Sequence, residues 1–146
     1  MDPRNIELLA ASFARVSANK ADAATLFYAR LFTTAPQLRP LFKGDLETQK
    51  QKLMSSLAQI VDFYRVGVDP HGYLAQLGQG HKAYGVKRSH FDAIGDALIF
   101  TLAQVLGDEF SPDIRAAWVH AYDEVSAVMI RAAEISDHEP ALAAAV

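Results

Sequence analysis

The sequence predicts an all-α single domain of six substantial helices and one short one, and three observations carry that expectation. Apolar residues recur at three- and four-residue spacing in six successive windows, the period of a helix with one buried face. No run alternates apolar with polar residues over a strand's length between turn signals. Each window is flanked by Pro, Gly, Asp, Asn or Ser at positions that start or stop helices. At 146 residues the chain is long enough to bury a core without disulfide or metal staples.

Asp2-Pro3 opens the first helix, since Asp2 can accept from first-turn amides and Pro3 suits the first helical position. Its stripe is Ile6, Leu9, Ala10, Phe13 and Val16, and Asn19 or Lys20 interrupts it. A second helix runs to about Thr34 with Ala24, Phe27, Tyr28, Leu31 and Phe32 on its buried side. Pro36 and Pro40 stand too close for a long helix, so a short turn of helix is expected up to Phe42. Lys43-Gly-Asp45 is a loop, with Asp45 capping a long helix from Leu46 to about Val66. That helix carries Leu46, Gln49, Leu53, Leu57, Ile60, Val61 and Tyr64 on one side. Gly67-Val-Asp-Pro70 breaks it, and Asp69-Pro70 starts a helix with Leu74, Leu77 and His81 on one stripe, ended by Gly85.

Ser89 or Asp92 opens the next helix, whose stripe is Phe91, Ile94, Leu98, Leu102, Val105 and Leu106. A break from Gly107 to Pro112 leads into the last helix, with Ser111 as cap and Pro112 as first residue. It carries Ile114, Trp118, Ala121, Val125, Val128, Met129 and Ala132 and frays before Pro140. The domain is therefore expected over residues 1–138, with 139–146 an alanine-rich flexible tail.

Composition removes several function classes. A formal net charge of −3 and the lack of a basic block speak against nucleic acid as a partner. With no cysteine there is no disulfide framework, thiolate zinc site, iron–sulfur cluster or thiol nucleophile. The polar start, Met1-Asp-Pro-Arg-Asn5, is no secretory signal, and no apolar run approaches the ~20 residues that span a bilayer. A cytoplasmic protein without a membrane partner is the expectation.

The five histidines separate by helical face. His71 falls in a first turn, His90 among Lys87, Arg88 and Ser89, His120 away from the Trp118 stripe, and His138 near the end. Only His81 shares a face with apolar neighbours. By spacing alone it reads either as a core histidine held by a hydrogen bond, the commoner case, or as a metal ligand. No second histidine or carboxylate stands at ligand spacing to it, which disfavours zinc and di-iron centres. One axial histidine suffices for haem, whose porphyrin supplies the other four ligands. Gly78 and Gly80, each costing ~1 kcal/mol relative to alanine inside a helix, would leave room for a flat ring, or simply make a loose helix. Tyr28 and Gln49 are polar groups on otherwise apolar faces; taken alone, Tyr28 reads more readily as a core tyrosine whose hydroxyl finds a carbonyl, and Gln49 as a solvated first-turn residue.

Several motifs, in order, resemble the bacterial single-domain globins over nearly the full chain. They are Phe27-Tyr-Ala-Arg-Leu-Phe32, Ala35-Pro36 through Arg39-Pro-Leu-Phe42, Gln49 with Leu53, Leu77-Gly-Gln-Gly-His-Lys-Ala-Tyr-Gly-Val86, and Ala116-Ala-Trp118 with Tyr122. The whole is similar to the globin domain of flavohaemoglobins, and Leu74 to Met129 also to the neuroglobin branch. The resemblance implies a globin fold around a haem b pocket, with His81 as the axial ligand to iron. It implies that Phe42 packs flat on the haem, that Leu53 forms an apolar wall, and that Val86 and Phe91 touch the proximal side. Lys52 stands where it can meet a propionate. Tyr28 and Gln49 fall at the two distal positions that face a bound gas.

O₂ and, beyond it, CO and NO are the implied ligands. Bound O₂ carries partial negative charge, so donors from Tyr28 and Gln49 favour it over CO and imply high affinity with slow release. Gln49 departs from the histidine of the neuroglobin branch, which removes the expectation of a bis-histidyl haem. Phe91 and Ala133 depart from the Tyr–Glu pair that flavohaemoglobins set behind the proximal histidine, so His81 is expected to bond a backbone carbonyl. The function expected is O₂ storage, delivery or scavenging by a monomer or weak homodimer. The alternatives are an NO dioxygenase, supplied with electrons by a separate reductase because no flavin or nicotinamide domain follows the last helix, and a globin-fold gas-sensing or interaction module.

Overall fold

A computed structural model describes residues 1–137. Among them lie six α-helices: α1 (Pro3–Ser17), α2 (Lys20–Thr34), α3 (Leu46–Val66), α4 (His71–Ala83), α5 (His90–Leu106) and α6 (Pro112–Ala133). Two 3₁₀ turns, Pro36–Leu41 and Gly107–Glu109, complete the described elements, none of which is a strand. The all-α expectation is met. The second 3₁₀ turn lies within the break expected from Gly107 to Pro112. There Gly107 sits at φ +57° and its carbonyl accepts from Phe110 N at 3.0 Å, so the chain tightens into one turn before α6. His138 and the tail expected over 139–146 lie outside the described residues.

Local chemistry sets the helix ends. Asp2 accepts from Arg4 N at 2.8 Å, Asp45 from Glu47 N at 3.2 Å, and Ser111 from Ile114 N at 3.2 Å, each satisfying an amide that the first turn leaves unpaired. Asp69 does the same for His71 N at 3.1 Å, so Pro70 sits at the cap and the helix begins one residue later than expected. Gly67 at φ +76° stops α3 and Gly85 at φ +90° turns the chain after α4, a left-handed conformation that glycine adopts without penalty. No helix among the described residues is long and apolar enough to cross a membrane.

The helices pack as α2 along α5 and α4 along α6, with α1 laid across α3 and α6. The core divides in two. The larger part gathers Leu9, Phe13, Phe27, Leu31, Leu98 and Trp118; the smaller joins Leu74, Val86, Phe91, Val125 and Met129. Trp118 is buried with its Nε1–H donating to Ser12 Oγ at 2.8 Å, and Ser12 in turn donates to Leu8 O at 2.6 Å. Buried polar groups that close such a chain fix how α6 meets α1.

α4 is held differently from the rest. Its one extensive helix partner is α6, and the approach is close enough that a Cβ on Gly78 would lie 2.6 Å from Met129 O and 3.2 Å from Ala133 Cβ. Gly78 is thus a glycine of helix packing. Space for a ring was one of two sequence readings for this residue and for Gly80; Gly78 has none, whereas Gly80 has no neighbour within 4 Å of an added Cβ.

Candidate functional site

Between α3 and α4, closed by α2 and the start of α5, lies a cavity of about 610 Å³. Its size falls in the range of sites for small molecules and cofactors. Of the residues singled out from sequence, Tyr28, Phe42, Gln49, Lys52, Leu53, His81 and Val86 all line it. Phe91 does not. It is buried behind His81, the two rings 5.8 Å apart and tilted by 35°, so the expected contact with a cofactor becomes support for the imidazole. Phe91 instead borders a wider depression of about 740 Å³ walled by charged side chains such as Arg88, Asp92 and Arg131, where none of the other predicted site residues appears.

His81 is half-buried, and its Nδ1 stands 2.7 Å from Leu77 O, one turn earlier in α4. A carbonyl only accepts, so Nδ1 carries a proton, and in the neutral ring the lone pair is then on Nε2. The carbonyl partner expected in place of a Tyr–Glu pair is present. A second hydrogen bond stiffens the support: Tyr122 donates to Phe91 O at 2.6 Å, and its ring lies so near Gly95 that a Cβ there would be 2.7 Å from Tyr122 Cε2. Burial raises the Tyr122 pKa, Asp92 and Asp123 adding to it, so the hydroxyl stays a donor.

Across the cavity, Tyr28 is 4% exposed and packed in a ring cluster. Phe27 lies 5.0 Å away edge-on and Phe42 5.5 Å away at 78°, while Phe32 touches both Tyr28 and Phe42. Arg39 holds the cluster from outside, donating to Phe42 O at 3.1 Å with its guanidinium 5.2 Å from the Phe32 ring centre. Burial pushes the Tyr28 hydroxyl up to about 12, partly offset by a hydrogen bond with Gln49. It therefore remains a protonated donor at neutral pH, with Gln49 beside it.

The sequence reading missed much of the lining. Leu31, Leu41, Leu77 and Ile94 complete the apolar wall. Ser55 and Ser56 on α3, and Gln76 and Tyr84 on α4, form a more polar mouth. The signal was available for some of these: Ser56 follows Gln49 and Lys52 at helical spacing, and Gln76, Gly80 and Tyr84 stand four apart. The other histidines are placed elsewhere. His71 and His120 are exposed, and His90 Nδ1 accepts from Lys87 N at 3.0 Å, its pKa lowered by burial and by Lys87.

No group of three or more His, Cys, Asp or Glu that could hold a metal ion occurs among the described residues. A cofactor that brings most of its own metal ligands, is largely flat and apolar, and has a polar edge fits this cavity: one free imidazole nitrogen, apolar walls and a polar mouth. The helices and the single-histidine cavity between α3 and α4 define a haem-protein class of site. Residues 25–129 match the family model described as Globin, and the chain belongs to the globin family, which typically binds haem. It is similar to a flavohemoprotein of Bacillus subtilis, 27% identical over 134 residues, covering 89% of this chain and 33% of that protein. A flavohemoprotein of Deinococcus radiodurans is 33% identical over 108 residues, covering 71% of this chain and 27% of that one. The chain thus spans a third or less of the length of these curated relatives.

Proposed function

We propose that this globin binds haem b through His81 and takes up O₂ reversibly and with high affinity, for storage, delivery or scavenging. Haem iron, when bound, supplies the position that accepts a diatomic gas. His81 presents Nε2 to it, with the ring's orientation set by Leu77 O and Phe91. Phe42, Leu53 and Val86 hold the ring's faces and exclude water, and Lys52 stands at the mouth for a carboxylate of the ring. The observation that carries the reading is the Tyr28 phenol, buried in the same cavity as His81 and beside Gln49.

A donor pair in a dry pocket discriminates by charge. O₂ accumulates negative charge on binding and CO much less, so Tyr28 and Gln49 favour O₂. A hydrogen bond to a charged partner contributes ~1.5–3 kcal/mol, and ~1.4 kcal/mol is tenfold in an equilibrium constant. Two donors acting together therefore raise O₂ affinity by about two orders of magnitude or more.

The test of the central assignment is His81→Ala. Reconstituted with haem, the variant is expected to lose the five-coordinate ferrous spectrum and to recover it with added imidazole. An unchanged spectrum without imidazole would overturn His81 as the ligand. An NO dioxygenase is the second reading; its turnover needs an electron source, and the relatives' name, flavohemoprotein, joins a flavin to a haem protein. Nitrate production from NO under turnover with an added reductase would support it; single-turnover nitrate alone leaves the binding role.

A further inference from the structure

The imidazole of His81 is backed by two residues that do not reach the cavity. Neither Phe91 nor Tyr122 lines the space between α3 and α4, yet the Phe91 ring stands 5.8 Å from the His81 ring. Phe91 is the second residue of α5, and its carbonyl accepts the Tyr122 hydroxyl, from α6, at 2.6 Å. A carbonyl has two lone pairs, so the phenol can bond there without displacing a helix amide. The Tyr122 ring comes so near the α5 backbone that a Cβ on Gly95 would lie 2.7 Å from Cε2 and 3.2 Å from Cζ. Gly95 is the single glycine of α5, in a helix interior where only proline is less favourable. The close approach of the ring explains it. Tyr122 also packs against both core clusters. One turn earlier in α6, Trp118 makes a purely structural bond of the same kind, donating to Ser12 Oγ at 2.8 Å with neither residue lining the cavity.

We propose that Tyr122 is a positioning residue for the axial imidazole: it clamps the first turn of α5, so that the Phe91 ring stays beside His81 and restricts how the imidazole turns. The clamp is a second constraint, independent of the first. Leu77 O fixes the direction of Nδ1 from within α4, but a ring held by one hydrogen bond can still rock about the line of that bond. Phe91, tied to α6 by Tyr122, stands in the way of that motion. Iron held on Nε2 is sensitive to it, because the bond depends on where the nitrogen lone pair points. The part of the proposal that concerns iron rests on the haem reading; the part that concerns the His81 ring does not. A partner bonded directly to a ligating histidine is worth roughly 10–100-fold in metal affinity. Tyr122 acts one residue further away, so its effect is expected to be smaller.

The test compares three variants. Tyr122→Phe removes the hydroxyl and keeps the ring, whereas Gly95→Ala keeps the hydroxyl and pushes the ring off α5. Ser12→Ala, which breaks the Trp118 bond, controls for the loss of a buried hydrogen bond as such. In the ferrous holoprotein, resonance Raman reads the iron–imidazole stretch, and haem transfer to excess apomyoglobin reads how firmly the group is held. Both clamp variants are expected to move the stretch in the same direction and to speed haem loss by about three- to tenfold, with Ser12→Ala within about twofold of the parent. In a Phe91→Leu background, Tyr122→Phe should add nothing to the shift, since the route runs through Phe91. In the isotope-labelled full chain without haem, the His81 ring signals, displaced by the Phe91 ring, should move toward exposed-histidine positions in the clamp variants only. Suppose instead that Tyr122→Phe lowers the denaturant midpoint as Ser12→Ala does, with the stretch and the His81 signals unmoved. Tyr122 would then be merely structural and the proposal overturned; equal shifts in Ser12→Ala would overturn it too. If the parent forms no haem spectrum, the haem reading fails and the His81 signals alone decide the clamp.

Discussion

At the scale of the residue, the pocket depends on groups whose protonation is fixed by their surroundings. Tyr28 is a neutral donor because burial makes its phenolate costly. Tyr28→Phe removes that donor while keeping the ring in its aromatic cluster, so the fold should persist and O₂ should leave about tenfold faster or more. Laser-flash and ligand-displacement rates check this, and an unchanged O₂ dissociation rate would rule Tyr28 out as a donor. The buried tyrosines also make an alkaline prediction. Tyr28 and Tyr64 are each raised from 10.0 to about 12, Tyr28 by burial and Tyr64 by burial and then by Glu124, and Tyr122 is raised as well. Above pH 10 the unfolded chain loses these protons while the folded one keeps them. Their contribution is thus full below pH 10 and lost as pH rises through about 12. Denaturant midpoints should fall across that window, with tyrosinate absorbance from the three appearing only as the fold is lost.

At the scale of the element, α4 is where sequence reasoning and structure part most usefully. Two glycines near His81 invited the same pair of explanations, space for a ring or a loose helix, yet they do different jobs. Gly78 lets α4 lie against the backbone of α6; Gly80 faces open space in the pocket wall. Gly78→Ala drives a methyl into Met129 O and should destabilise the fold by about 1–3 kcal/mol. Gly80→Ala meets nothing and should stabilise the haem-free chain by up to about 1 kcal/mol, the helix-propensity difference. Urea unfolding of the apoprotein variants measures both, and equal effects would contradict this division. Periodicity could find the helix and its stripe, because those follow from local spacing. It could not say which glycine faces α6, since that depends on the crossing of two helices far apart in sequence. The same limit explains Phe91, whose place on the apolar stripe was clear but whose position behind the imidazole, rather than on the cavity, was not.

At the scale of the whole molecule, the cavity lies between α3 and α4, and α4 reaches the rest chiefly through α6. A ligand that fills the cavity joins α3 to α4 and stabilises the folded state by mass action. Removing haem should therefore loosen the molecule unevenly. Amide exchange in residues 71–83 is expected to rise well before that in α1, α2 and α5, which also pack on one another away from the cavity. Hydrogen exchange of apo and holo forms tests this; a uniform rise across all helices would show that the cavity is not the weak seam.

The sequence by itself determined the all-α class, five helix starts marked by Asp, Ser or Pro, and the ordered motifs in which the pocket residues stand. These are local properties, set by helical period, capping chemistry and ordered motifs that single positions carry. Tertiary structure alone decided that Tyr28 and Gln49 stand side by side in the cavity, that Leu77 O orients His81, that Gly78 belongs to α6 and that Phe91 stands behind the ring. It also placed His81 and Tyr28 in one cavity. Each of these depends on how helices cross, and a crossing is fixed by side-chain packing between elements, which no pattern within one helix records.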